Sequence, residues 1–176
     1  MFHDVPRFAE RQRIHVRALA DAGVQGSGLA ASDTAILFSA ESEWATRSET
    51  LPSMKLSHWH DVRDWYRAFL NAGARADIVP LAYDWSSYKT IVLPTVLILS
   101  DADTRRLAGF VQAGGRVVVD YATGLLDERF HTWLGGYPGA GDGLLRSMLG
   151  VRGEEFNILG AGAEGEPNEI RLTGTR

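Results

Sequence analysis

Four acidic side chains and two histidines are the places in this sequence where reactive groups are spaced as if for chemistry. Glu41 and Glu43 follow the apolar run "TAILFS" (34–39), and Asp84 and Asp120 fall near the ends of other such runs. Two carboxylates whose surroundings split their pKa values can act as general acid and general base. Exposed acids that cap loops and pair with arginines produce the same pattern, and that plainer reading is favoured. His58 and His60 are one residue apart; on a helix, positions i and i+2 point to different faces, which suits a solvated helix start better than a metal pair. The glycine-rich stretch "LGGYPGAGDG" (134–143) invites comparison with a phosphate cradle. It does not directly join a strand to a helix in the dinucleotide-binding manner, however, and no Gly-Lys-Ser/Thr follows it. Within it, "LGGYPG" reads as a shaped loop, because glycine serves where the backbone needs positive φ and Tyr137 before Pro138 is pushed to an extended conformation.

The elements that would position these groups alternate strand and helix. "TAILFS" has the continuous apolar character of a strand buried on both faces. In "SHWHDVRDWYRAFLNAG" Ser57 is a cap, Trp59, Val62, Tyr66, Phe69 and Leu70 recur at helical spacing, and Gly73 is a left-handed stop. "ADIVPL" (76–81) and "TIVLPTV" (90–96) read as strands joined by the polar, aromatic "AYDWSSYK". A second capped helix, "SDADTRRLAGFVQAGG", leads into the strand "RVVVDY" (116–121). Apolar strands flanking helices imply parallel units with right-handed crossovers. The expected fold is therefore α/β, a parallel sheet with helices on both faces, flavodoxin-like in strand order 2-1-3-4. Residues 4–22 can form an arginine-rich helix, and the tail after residue 158 lacks a sustained apolar pattern.

Composition removes several classes of function. With 176 residues, 45% of them hydrophobic, one domain with a real core is expected. Lys and Arg number 18 against 22 Asp and Glu, and the resulting charge of -4 gives no footprint for nucleic acid or an anionic membrane. The chain contains no cysteine, so disulfides, thiolate metal sites and cysteine nucleophiles are excluded. No run approaches the ~20 apolar residues of a membrane span, and a cytoplasmic location is expected. In amidotransferase-like α/β domains the turn after a central strand carries a nucleophilic cysteine; the matching "VVVDYATGLL" offers only Tyr121, Ala122 and Thr123.

Five segments in order, "TAILFSAESEWA", "DWSSYKTIVLPTVLILSDA", "AGGRVVVDYATGLLDE", "LGGYPG" and "LGVRGEEF", resemble the middle domain of glycoside hydrolase family 42 β-galactosidases. The resemblance implies a non-catalytic trimerisation domain of flavodoxin-like or class I glutamine amidotransferase-like fold over residues 24–158. It further implies that residues 1–23 leave a preceding catalytic barrel and that residues 159–176 lead toward a next domain. The two catalytic glutamates of the family belong to that barrel, so no catalytic residue, cofactor or metal is expected here. Where the family pattern reads "FDWESWWA", this chain has "FSAESEWA": Glu41, Ser42, Trp44 and Ala45 match, and Ser39, Ala40 and Glu43 do not. Trp85 and Ser87 likewise replace the usual Leu and Gly of "DLSGYK". The partners implied are copies of the same chain, forming a trimer, and the parent's barrel. Glu41, Trp44, Trp85, Gly135, Gly136, Tyr137 and Pro138 are the expected interface or pocket-lining residues, since tryptophan and tyrosine are enriched at interfaces. A stand-alone amidotransferase-like enzyme, with convergent polar groups near Glu41 and Tyr121, and a flavodoxin-like small-ligand module are the alternatives.

Overall fold

A computed structural model describes residues 17–23, 31–48, 51 and 56–153. The chain divides into two units, residues 1–31 and 32–176. In the first, residues 17–21 are helical, and the rest of the helix expected over 4–22 lies outside the described residues. The tail 159–176 lies outside them as well.

The second unit is built on four parallel strands, β1 (Thr34–Phe38), β2 (Asp77–Pro80), β3 (Thr90–Leu93) and β4 (Arg116–Val119), in the expected order β2-β1-β3-β4. Alternation along the strands divides the core. Ile36 and Val92 turn to one face, where Val62, Trp65 and Phe69 of helix α2 (His58–Asn71) cover them. Ala35, Leu37, Ile91 and Leu93 turn to the other, against Leu107 of α3 (Asp101–Gln112) and Leu145 of α4 (Leu144–Leu149). Helices thus cover both faces, as right-handed crossovers to either side of β1 and β3 require.

The long helices begin and end where the sequence indicates. Ser57 and Ser100 accept hydrogen bonds from the amides of His60 and Asp103, and Gly73 and Gly114 follow in left-handed conformations. A short helix, α1 (Ala40–Thr46), is not apparent from apolar spacing. Ser39 caps it by accepting from the Ser42 amide at 3.0 Å, with Glu41 and Glu43 in the first turn where the helix dipole favours negative charge. Strand β3 stops at Leu93, short of the expected residue 96, because Pro94 has no N–H to continue the ladder.

The connection from β2 to β3 crosses β1 without a helix, although parallel crossovers usually contain one. Trp85 takes the place of the helix. It is 2% exposed, packs edge-on to Phe110 at 5.9 Å, and donates its indole N–H to the Leu81 carbonyl at 3.1 Å. The Arg106 guanidinium lies 4.5 Å over the indole and donates to the carbonyls of Leu81 and Tyr83. The expectation that Trp85 supplies contact surface is corrected for its ring, which is consumed in holding its own crossover. Trp85→Ala is therefore expected to destabilise the domain by about 3–5 kcal/mol, read as a lowered denaturant midpoint at an unchanged m-value.

Candidate functional site

Open α/β sheets bind ligands beyond the carboxyl ends of the two central strands, where the chain departs in opposite directions. In this sheet that crevice lies past Phe38 and Leu93. It is filled from within by His58, the first residue of α2, which is fully buried. The Ser39 amide donates to its Nε2 at 2.8 Å, and its Nδ1 lies 2.6 Å from the Pro94 carbonyl oxygen. A backbone amide can only donate and a carbonyl can only accept, so the ring is neutral with its proton on Nδ1. The Phe38 ring stacks on it at 5.2 Å. Burial pushes the His58 pKa below its ordinary value, against the opposing pull of Glu43 and Asp61. The expectation of a solvated histidine pair is thus corrected for His58, whereas His60 is exposed.

Each acidic residue singled out in the sequence holds nearby structure. Glu43 forms an ion pair with Arg47 at 2.8 Å and accepts the Trp59 amide at 2.9 Å, capping the first turn of α2. Asp120 accepts the Trp65 indole N–H at 2.7 Å and the Tyr121 amide at 2.7 Å. Asp84 accepts the Ser86 amide at 2.9 Å, and that bond holds its pKa below the ordinary carboxylate value. Asp61, which the sequence did not single out, accepts from the Thr95 hydroxyl, and burial raises its pKa. Glu41 accepts from the Ser39 hydroxyl at 3.3 Å and, unlike Glu43, lines a surface cavity.

That cavity is a groove of about 570 Å³. Glu41 and Trp44 of α1, Leu81 and Ala82 of the helixless crossover and Ile98 line it, together with a polar wall of Ser100, Asp103 and Arg106 from the α3 region. Glu128 and Phe130 complete it. The polar wall is internally satisfied, since Ser100 donates to Asp103 at 2.6 Å and Arg106 pairs with Asp103 at 3.0 Å. What remains outward are two aromatic rings, Trp44 at 66% exposure and Phe130 at 54%, beside the exposed carboxylates of Glu41 and Glu128. Phe130 stands on a turn at φ 64°, organised by Asp127, whose carboxylate accepts the amides of Arg129 and His131 at 2.8 Å each. Sequence reasoning missed Glu128 and Phe130. The one local signal was the turn-forming Asp127, whose side chain closes the loop on its own backbone.

"LGGYPG" runs from exposed Leu134 and Gly135 to buried Pro138 and Gly139, and none of its residues lines this groove. Gly135 and Gly136 take φ of 85° and 95°, the Gly136 carbonyl accepts from Arg146 at 2.7 Å, and the Tyr137–Pro138 bond is cis. The Gly139 amide donates to the Gly124 carbonyl at 3.3 Å, and a Cβ at Gly139 would lie 2.2 Å from that of Trp133. Tyr137 packs on the cluster of Ala122, Leu97 and Leu125, and burial pushes its phenol up to about 12. Adjacent Leu134 is 88% exposed. The structure therefore brings Glu41 and Trp44 together in the groove, leaves residues 135–138 out of its lining, and buries Trp85. Tyr121, half-exposed, does not line the groove.

A family model described as "Beta-galactosidase trimerisation domain" matches residues 32–176. Among curated proteins, β-galactosidase BbgII of Bifidobacterium bifidum is 42% identical over 88% of this chain, which spans 22% of that protein's length. Among solved structures, a β-galactosidase from Bifidobacterium adolescentis is 89% identical, with a TM-score of 0.71, covering 76% of this chain and 61% of that one. The E323A catalytic mutant of Gan42B, a GH42 β-galactosidase from G. stearothermophilus, is 25% identical with a TM-score of 0.72, over 89% of this chain and 22% of the other.

The buried imidazole makes stability pH-dependent. Below its ordinary pKa of 6.5, unfolded His58 takes up a proton that the folded protein resists. The unfolded state then binds more protons, so stability falls as pH drops from 6.5 toward the depressed folded value, and levels off below it. His58→Gln is expected to cost about 1–3 kcal/mol at pH 7.5 and to lose this acid-side decline, as read by urea denaturation of both proteins at several pH values. The decline persisting undiminished in the variant would assign it to another group.

Proposed function

Since the chain belongs to the β-galactosidase trimerisation domain family, we propose that it holds copies of a GH42-type β-galactosidase together in a ring of three, with terminal β-D-galactosides hydrolysed on a separate barrel. The observation that carries this reading is the contrast at the carboxyl ends of the strands. The crevice where such a fold would hold a ligand is closed by His58, while Trp44 and Phe130 project from the neighbouring groove. Buried aromatic anchors contribute disproportionately to protein interfaces. Retaining glycoside hydrolysis requires two carboxyl groups about 5 Å apart with open access to the sugar. Glu43 and Asp120 are instead committed to amides, an arginine and an indole.

In this reading Glu41 and Trp44 form contact surface, and Gly135, Gly136, Tyr137 and Pro138 shape the turn that presents Leu134. Residues 1–23 connect to the barrel and 159–176 to a following domain. A cytoplasmic setting belongs to the same proposal.

Two measurements test it. Sedimentation over a wide concentration range is expected to show self-association, weakened about tenfold, or ~1.4 kcal/mol, by Trp44→Ala. A strictly monomeric chain at the highest concentration overturns the assembly role. A chromogenic β-galactoside is expected to remain uncleaved by the chain alone; turnover that survives purification and is lost in Glu41→Gln would overturn the non-catalytic reading.

A further inference from the structure

A ring of three identical chains must be heterologous, so each chain carries two different patches that fit one another. The groove supplies one: the rings of Trp44 and Phe130 beside the carboxylates of Glu41 and Glu128. A patch complementary to it would be basic, with a hollow for an aromatic ring.

Helix α2 carries such a surface on the side facing away from the sheet. Arg63, Tyr66, Arg67 and Leu70 recur at i, i+3, i+4 and i+7, which places them on one stripe. All four are exposed, Leu70 at 62%, whereas the helix buries Val62 and packs Trp65 and Phe69 toward the sheet. Asp64 is the acid beside them, and it lies 3.7 and 3.6 Å from Arg63 and Arg67, contacts too long to engage either guanidinium fully. At the C-terminal end of the stripe, Tyr66, Leu70, Ala74, Arg75, Ala76 and Asp77 border a hollow of about 260 Å³, in which the Asp77 carboxylate is engaged by the Tyr88 hydroxyl at 2.9 Å. The two patches share no residue. An exposed helix stripe that joins a tyrosine and a leucine to two arginines has the composition of a protein contact, where tyrosine and arginine are enriched.

We propose that the α2 stripe of one copy is the surface that docks in the aromatic, acidic groove of the next, a deepening of the self-association reading on which it rests. Arg63 and Arg67 pair with Glu41 and Glu128, and a guanidinium suits this groove because it can bind a carboxylate and stack on an exposed indole at once. The hollow beside Leu70 receives an aromatic ring of the groove. Charge complementarity fixes the direction of the contact, since groove against groove and stripe against stripe set like charges together.

A charge-swap series in the full chain tests this by sedimentation equilibrium. E41R/E128R and R63E/R67E are each expected to weaken association by about tenfold or more, while the chain carrying all four substitutions recovers association to within about threefold of the parent. Thermal melts verify folding, and the milder pair E41Q/E128Q, expected to weaken association in the same direction, stands in should a reversal unfold the protein. Association insensitive to both reversals, or a fourfold variant no better than either pair, overturns the docking of stripe on groove while leaving self-association standing. A parent chain that is monomeric throughout overturns both.

Discussion

The imidazole of His58 lies between a backbone donor that follows β1 and a backbone acceptor that follows β3, at 2.8 and 2.6 Å. Those two strands are the centre of the sheet, and past them the chain turns in opposite directions to build the flanking layers. Without a side chain that both accepts and donates, a buried amide and a buried carbonyl would face one another's strand ends unpaired, a loss of about 1–3 kcal/mol for each group. The same contact fixes where neighbouring elements begin. Ser39, held through its amide, is the cap of α1, and His58 opens α2, whose first turn Glu43 of α1 in turn caps. Two helices and two strands are thereby located relative to one buried ring.

Closing the central crevice in this way changes what the fold can do. In a ligand-binding α/β protein the loops past the central strands turn their polar groups toward an open space. Here the corresponding groups bind one another: Thr95 with Asp61, Trp65 with Asp120, and the Thr123 hydroxyl with the Leu93 carbonyl. The opening that remains is displaced to the α3 side, where Ser100, Asp103 and Arg106 satisfy one another and the outward groups are two aromatic rings and the carboxylates of Glu41 and Glu128. A surface of that kind gains more from covering by protein than from holding a small polar molecule, because its free energy lies in removing aromatic area from water.

The glycine-rich turn has a corresponding logic. Its glycines allow the chain to pass close to Trp133 and Arg146, and Tyr137 is drawn against the cluster that includes Ala45 of α1. It is therefore a brace beneath the α1 region, and its chemistry is spent on backbone geometry. Phosphate binding would have required its amides to point outward together, whereas the Gly139 and Gly143 amides donate to carbonyls within the chain.

Local patterns in the sequence determined the parallel sheet, its order, and the two long helices with their serine caps and glycine stops, because continuous apolar runs, helical spacing and capping are properties of neighbouring residues. They also placed Glu41 and Trp44 at the carboxyl end of β1. Tertiary structure alone decided the rest. Nothing local distinguishes Trp85, sealed under a crossover without a helix, from Trp44, left exposed in the groove; the difference is whether Phe110 and Arg106, far along the chain, lie over the ring. From its neighbours in sequence His58 reads as solvated, and it is buried because Ser39 and Pro94 converge on it from the ends of β1 and β3. Phe130 acquired its place in the groove from a turn that packs near α1 only in the folded chain. Burial and hydrogen-bond partnership are sums over residues distant in sequence, and for that reason they were fixed by packing.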